Sequence, residues 1–212
     1  MKYESARKYF SAFKSQLETA GIDLPFYKMP LLQATRKSWK RSEHPPAKKV
    51  PITEEDVNSL GPDQERKHPV FVAVTRFGFD TLARLSEIGD AKWTNVTERK
   101  EFVSIHLDRA KTDPFGRDHQ SLTISTATWR EVKRLIPAKN SGRIFGGFSL
   151  TAYRKWISAL FSKGLTGHSL RRGGAQRMFD EGYSIEAIKL KGRWRSEAWL
   201  RYVDQSSRQI IL

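Results

Sequence analysis

Gly167-His168-Ser169-Leu170-Arg171-Arg172-Gly173-Gly174-Ala175 is the most informative stretch of this 212-residue chain. A helix that starts near Ser169 brings His168 and Arg171 out close together beside its N-terminus. Free main-chain amides at such an end favour an anion. Arginine forks two donors onto phosphate oxygens and keeps its charge while doing so. Gly173 and Gly174 would let a backbone or a duplex approach closely. Taken alone, the stretch reads as an ordinary N-terminal histidine beside a solvated arginine pair. Its meaning depends on what the rest of the chain supplies.

Three further segments bear on it. In Thr81-Leu82-Ala83-Arg84-Leu85-Ser86-Glu87-Ile88 an arginine is embedded in apolar sequence. Burying it without a partner is costly, and Glu87, three residues on, can pair with it across one helical turn. In isolation this is a structural ion pair. Lys111 follows Arg109-Ala110 at a strand end, before Asp113-Pro114-Phe115-Gly116. A lysine on such a tip can reach into a groove and deliver a proton, although most turn lysines are simply solvated. Gly192-Arg193-Trp194-Arg195-Ser196 leads to Trp199-Leu200-Arg201-Tyr202-Val203 near the C-terminus. Trp194 and Tyr202 alone would pass for aromatic core residues.

The periodicity around these segments predicts a mainly α chain with a small antiparallel β-sheet, an α+β class. Tyr3, Ala6, Phe10, Phe13 and Leu17 share one helical face, with Gly21 as a stop and a second short helix over residues 31–39. His44-Pro45-Pro46-Ala47-Lys48-Lys49-Val50-Pro51 reads as an extended linker. Thr53 and Asp56 form a weak helix start. Residues 68–85 read as one helix with Gly78 as a weak point. Val103, Ile105 and Leu107 alternate with polar residues, and Leu122 with Ile124 repeats the pattern, which predicts a hairpin. Residues 126–135 and 151–161 read as helices, and three short helices follow from Ser169.

Composition narrows the function classes. The chain carries 38 Lys+Arg against 23 Asp+Glu, a formal net charge of +15. Residues 1–49 hold 11 Lys+Arg against 4 Asp+Glu, so the basic density is highest there. Such a surplus concentrates polyanions and makes their binding salt-sensitive. With no cysteine, disulfides, thiolate metal sites and cysteine nucleophiles are excluded. The longest apolar run is Val70 to Val74, far short of a membrane helix of roughly 18 residues. The first residues lack the apolar run of a signal peptide, which predicts an intracellular protein. Gly142-Arg143-Ile144-Phe145-Gly146-Gly147 lacks the lysine of a phosphate-binding P-loop.

In order and composition, the four segments resemble the tyrosine recombinase (phage integrase) family. That family places an arginine with an acid three residues on, a hairpin lysine, a His-x-x-Arg pair, a His or Trp, and a nucleophilic tyrosine. Arg84 with Glu87, Lys111, His168 with Arg171, Trp194 and Tyr202 match in that order. The resemblance covers residues 50 to about 205 and is nearest to integrase-type recombinases of mobile elements. The sequence departs from the pattern in two places. Arg172-Gly173 follows the His-x-x-Arg pair where many members carry histidine, or lysine with threonine. The His/Trp position usually lies nine residues before the tyrosine, where Arg193 stands, whereas Trp194 stands at eight; residue type assigns the role to Trp194.

The resemblance implies an integrase-like catalytic domain over residues 50–212, preceded over residues 1–49 by the remnant of a helical core-binding domain and a linker. It implies that Tyr202 attacks a phosphodiester of double-stranded DNA and forms a 3′-phosphotyrosyl ester. Arg84 and Arg171 would hold the phosphorane, Lys111 would act as general acid, His168 would assist Tyr202 or the phosphate, and Trp194 would donate its N–H. Glu87 would orient Arg84 or His168. No metal and no ATP is expected, since the ester conserves the bond energy. Arg172, Arg193, Lys40 and Arg41 are expected to face DNA. Recombination implies a homo-oligomer, a tetramer on paired duplexes, with the nucleus or the bacterial nucleoid as its place of work. Two other readings share many of these residues: a type IB topoisomerase-like enzyme, and a truncated or domesticated DNA-binding module. A basic membrane-surface protein would need the helix from Tyr3 to Leu17 exposed.

Overall fold

A computed structural model describes residues 3–22, 29–42, 50–108, 120–136, 142–161 and 164–203. The chain divides into two compact units, Met1–Lys48 and Lys49–Leu212. In the first, helix α1 (Tyr3–Thr19) and helix α2 (Pro30–Ser42) both form. The Tyr3 ring meets the Trp39 ring edge-on at 5.7 Å. Tyr3 and Ala6 are buried, whereas Phe10 and Phe13 on the same face of α1 are exposed. Lys40 and Arg41 lie exposed in the last turn of α2, where cations suit the negative end of the helix dipole. Most of the linker, residues 43–49, lies outside the described residues.

The second unit starts with a closed capping box. Thr53 Oγ1 accepts the Asp56 amide at 3.1 Å and an Asp56 carboxylate oxygen accepts the Thr53 amide at 2.9 Å. This fixes the start of α3 (Glu54–Asn58), and α4 (Pro62–Lys67) follows. Helix α5 (Pro69–Thr81) is apolar around most of its circumference, with Val72, Ala73, Val74, Phe77 and Phe79 all buried. Such a helix has to lie inside a domain rather than on it. Pro69 opens it, where a missing amide costs nothing.

The expected single helix over residues 68–85 is two helices. Helix α5 stops at Thr81, Leu82 adopts the left-handed conformation at φ 53°, and Arg84 becomes the N-cap of α6 (Leu85–Asp90). The break needs no glycine or proline because the Glu87 carboxylate, at the third position of α6, accepts the Arg84 amide at 2.8 Å. Gly78 is no weak point. A methyl group there would come within 2.7 Å of Leu170 and 2.9 Å of Ile88, so the residue is small to let α5 pack.

The sheet has three antiparallel strands in the order β1 (Val96–Glu98), β2 (Phe102–His106), β3 (Ser121–Ser125). The expected hairpin is β2–β3, with Val103 opposite Ile124 and Ile105 opposite Leu122. The short first strand was not visible in the alternation. All four of those side chains are buried, as period-two patterning requires of a half-buried sheet. The hairpin tip, with Lys111, lies outside the described residues. Helix α7 (Thr126–Leu135) leaves β3 directly, capped by Ser125 Oγ on the Thr128 amide at 3.1 Å. Then come α8 (Leu150–Phe161), α9 (Ser169–Asp180), α10 (Ile185–Gly192) and a 3₁₀ turn over Glu197–Arg201.

Two apolar clusters hold this unit together. The larger gathers α5, the sheet, α7 and α8. The smaller consists of Leu82, Ala175, Met178, Phe179, Ile188, Trp194, Trp199 and Val203, with Tyr202 packed against it. It fastens the segment after α10 to the turn between α5 and α6 and to the face of α9.

Candidate active site

The turn at residues 82–84, the first turn of α9 and the segment after α10 meet at one place. Arg171 lies at its centre with 0% exposure. One terminal nitrogen donates to the Leu82 carbonyl at 2.6 Å, and the other donates to the Gly192 carbonyl. The Trp194 ring lies 4.2 Å from its guanidinium carbon, and the Tyr202 ring 5.6 Å. Its Nε is buried and has no hydrogen-bond partner among the described residues. Burial and the nearby Arg84 and Arg193 cations push its pKa down to about 9 against the pull of Glu87 and Tyr202. The group therefore stays charged at neutral pH, under an electrostatic strain that a nearby anion would relieve.

Glu87, itself buried, faces two of these cations. One oxygen accepts Arg84 Nη1 at 2.6 Å, and the other accepts Arg193 Nη2 at 2.6 Å. Burial opposes its charge, yet the Arg193 guanidinium and the Arg84 amide and guanidinium outweigh burial and hold the carboxyl below its ordinary value of 4.5. Three guanidinium charges thus stand near one carboxylate among the described residues, with Arg84 and Arg193 bonded to it and Arg171 bonded to main-chain carbonyls. Two positive charges are left over in a poorly hydrated place. Such a surplus of cations would stabilise an anion placed beside it.

Tyr202 closes the 3₁₀ turn, its amide donating to the Trp199 carbonyl at 2.8 Å. Its ring is 5.0 Å from that of Trp194. Its hydroxyl lies 3.4 Å from Nδ1 of His168, at the long end of hydrogen-bond reach. His168 is exposed at the N-cap of α9. Arg172 is half-buried, with its guanidinium carbon 5.7 Å from the Tyr202 ring.

Arg84, Glu87, His168, Arg171, Trp194 and Tyr202 are therefore neighbours, although the sequence spreads them over more than a hundred positions. Lys111 lies outside the described residues. Lys40 and Arg41 belong to the first unit. Arg193 departs from expectation: its side chain is only 8% exposed and turns inward onto Glu87 instead of outward to solvent. Gly173 and Gly174 are places of close approach, and of the two expected occupants it is a backbone that is found there. A methyl group at Gly173 would stand 1.8 Å from the Ile52 carbonyl oxygen, and one at Gly174 2.0 Å from that of Phe79. What approaches these glycines is the protein's own backbone.

The sequence reading missed Asp80 and Lys191. Asp80 is buried at the end of α5 and accepts Lys191 Nζ at 2.9 Å and the Ser125 hydroxyl at 3.1 Å. An aspartate in an apolar run was the available signal. Three consecutive residues, Lys191, Gly192 and Arg193, thus each bond to a different partner, respectively Asp80, Arg171 and Glu87. This clasp carries the segment that bears Trp194 and Tyr202.

No family model matches the chain, and no curated protein matches it in sequence. Solved structures do resemble it in fold. The integrase of transposon Tn1549, in complex with transposon right-end DNA, aligns over 96% of this chain and 76% of its own length, with TM-score 0.66 and 13% identity. The catalytic domain of bacteriophage HP1 integrase aligns over 73% and 86%, with TM-score 0.55 and 20% identity. XerH site-specific recombinase in a post-cleavage complex with difH aligns over 70% of this chain, with TM-score 0.51 and 14% identity. The chain spans 47% and 64% of two XerH structures. Its fold is the integrase catalytic fold, shared with these integrase and site-specific recombinase structures.

Proposed function

We propose that this chain is the catalytic part of a tyrosine recombinase of a mobile element, which breaks and rejoins double-stranded DNA through a 3′-phosphotyrosyl intermediate. The observation that carries the reading is the cluster of Arg84, Arg171 and Arg193 around one carboxylate, with the Tyr202 phenol beside it. A phosphodiester supplies the missing negative charge, and its phosphorus is the electrophile that a phenol needs.

In this reading the Tyr202 oxygen attacks phosphorus and the bond from phosphorus to the 5′-oxygen breaks. The phenol proton passes toward His168, and the departing 5′-oxygen takes a proton from Lys111. Arg84 and Arg171 stabilise the charge that grows on the non-bridging oxygens. Trp194 backs the Arg171 guanidinium with its ring, and Glu87 fixes Arg84. A 5′-hydroxyl then reverses the steps on the same or another strand, with no metal and no ATP. Exchange between duplexes requires several copies on DNA, a tetramer in the simplest arrangement, working where the host keeps its DNA. Lys40, Arg41 and Arg172 add phosphate contacts. Residues 1–49 serve as part of a DNA-clamping core-binding region.

The test uses a pool of randomised duplexes, each with a single nick, and scores protein–DNA adducts that survive denaturing detergent. The wild-type chain should form them. Tyr202→Phe should form none while binding duplex DNA within several-fold of wild type. An undiminished adduct in that variant, or none in the wild type, overturns the reading.

A further inference from the structure

We propose that Arg193 is a positioning residue of this site rather than a DNA contact. The inference rests on the recombinase reading above. At the position before the tyrosine, Trp194 then faces the reacting groups and Arg193 holds them from behind.

Three observations carry it. The Arg193 guanidinium donates to Glu87 at 2.6 Å and to the Lys191 carbonyl at 3.1 Å. Its side chain is as buried as a core residue's. Its backbone sits in the left-handed region at φ 55°, a conformation that non-glycine residues seldom adopt without compensation. The left-handed step turns the chain between α10 and Trp194, so that residue 193 points one way and residue 194 the other. Arg193 reaches the Glu87 oxygen that also accepts the Arg84 amide. Glu87 is thus held from the side opposite the Arg84 guanidinium. Loss of Arg193 frees Glu87 to rotate, lets Arg84 follow it, and releases one tie of the Tyr202 segment.

A phosphate contact and a positioning contact differ in what lysine can do. Lysine replaces a point charge beside DNA, but it cannot donate to Glu87 and to the Lys191 carbonyl in the fixed fork of a guanidinium. Arg193→Lys should therefore bind duplex DNA like wild type, with the same salt slope, and form the adduct about 100-fold more slowly, the scale of a small misplacement at a reacting centre. Arg193→Met should keep the slope as well, whereas loss of a phosphate contact lowers it by about one unit. Arg193→Met/Glu87→Gln should be no slower than the slower single variant, because both remove one link.

Wild-type adduct rates in Arg193→Lys, or a lost unit of salt slope in either variant, would overturn the proposal. If Arg193→Met does not fold, the lysine variant carries the same comparison. A wild-type chain without an adduct sinks the recombinase reading alone. The salt slope then still decides whether Arg193 touches DNA.

Discussion

Gly173 and Gly174 sit next to each other on α9, and each faces a carbonyl oxygen of another segment, Ile52 on one side and Phe79 on the other. A methyl group at either position would fall inside van der Waals distance of main chain, which cannot swing aside as a side-chain tip can. Gly174→Ala should destabilise the second unit by about 3 kcal/mol or more, the upper end of overpacking costs. For a unit of this size that is a fall of about 6–12 °C in melting temperature, readable by circular dichroism. The pair was legible as a place of close approach, but sequence could not say what approaches. Arg171 shows the same limit. Its type and spacing marked it out, while its complete burial follows from three segments that only the fold brings together. The inward turn of Arg193 onto Glu87 was not legible, because a left-handed residue is invisible in composition.

At the scale of elements, the site is assembled by ionic ties between α10 and the α5–α6 region. Asp80 and Glu87 are the acidic ends of these ties. For Asp80 burial again opposes the charge, and Lys191, Thr128 and Ser125 together outweigh it, so its carboxyl titrates below the ordinary 3.8. Carboxylates with folded-state values below their unfolded ones contribute fully above the unfolded value and lose that contribution as pH falls through the folded one. Melting temperature should therefore decline once the pH drops below about 4.5 for Glu87 and 3.8 for Asp80. The decline should be shallower in Glu87→Gln or Asp80→Asn. An identical pH profile in variants and wild type would rule these ties out as the cause. Helices α7 and α8 were legible because their apolar spacing is regular and Ser125 caps the first. Strand β1 was not, since three residues show no alternation and the strand exists only by pairing with β2. The division of the expected 68–85 helix was hidden for a similar reason: a glutamate three residues downstream ends it, not a breaker at the break.

For the whole molecule, charge decides more than shape. A formal +15 means that affinity for any duplex should fall linearly in a double-logarithmic plot against salt, with a slope of about −0.9 per phosphate engaged. Replacing Lys40 and Arg41 by alanine should reduce that slope by about two units if the end of α2 lies on DNA. Fluorescence anisotropy at several salt concentrations measures it, and an unchanged slope would remove the first unit's helix end from the interface. That DNA is the expected partner was readable from charge together with the ordered motifs. The uncompensated cluster that gives the charge a chemical address was not, because it is a property of distances.

Leu82 places two demands on a single residue. Its side chain is wholly buried in the cluster beneath Trp194, while its backbone holds a conformation that glycine would adopt more easily. The same residue lends its carbonyl to Arg171. An engineer seeking to relax the turn would install glycine and empty the core; one seeking a fuller core would choose a β-branched residue and strain the turn further. Directed evolution for thermal tolerance should accordingly find this position closed and gather its gains at the surface instead.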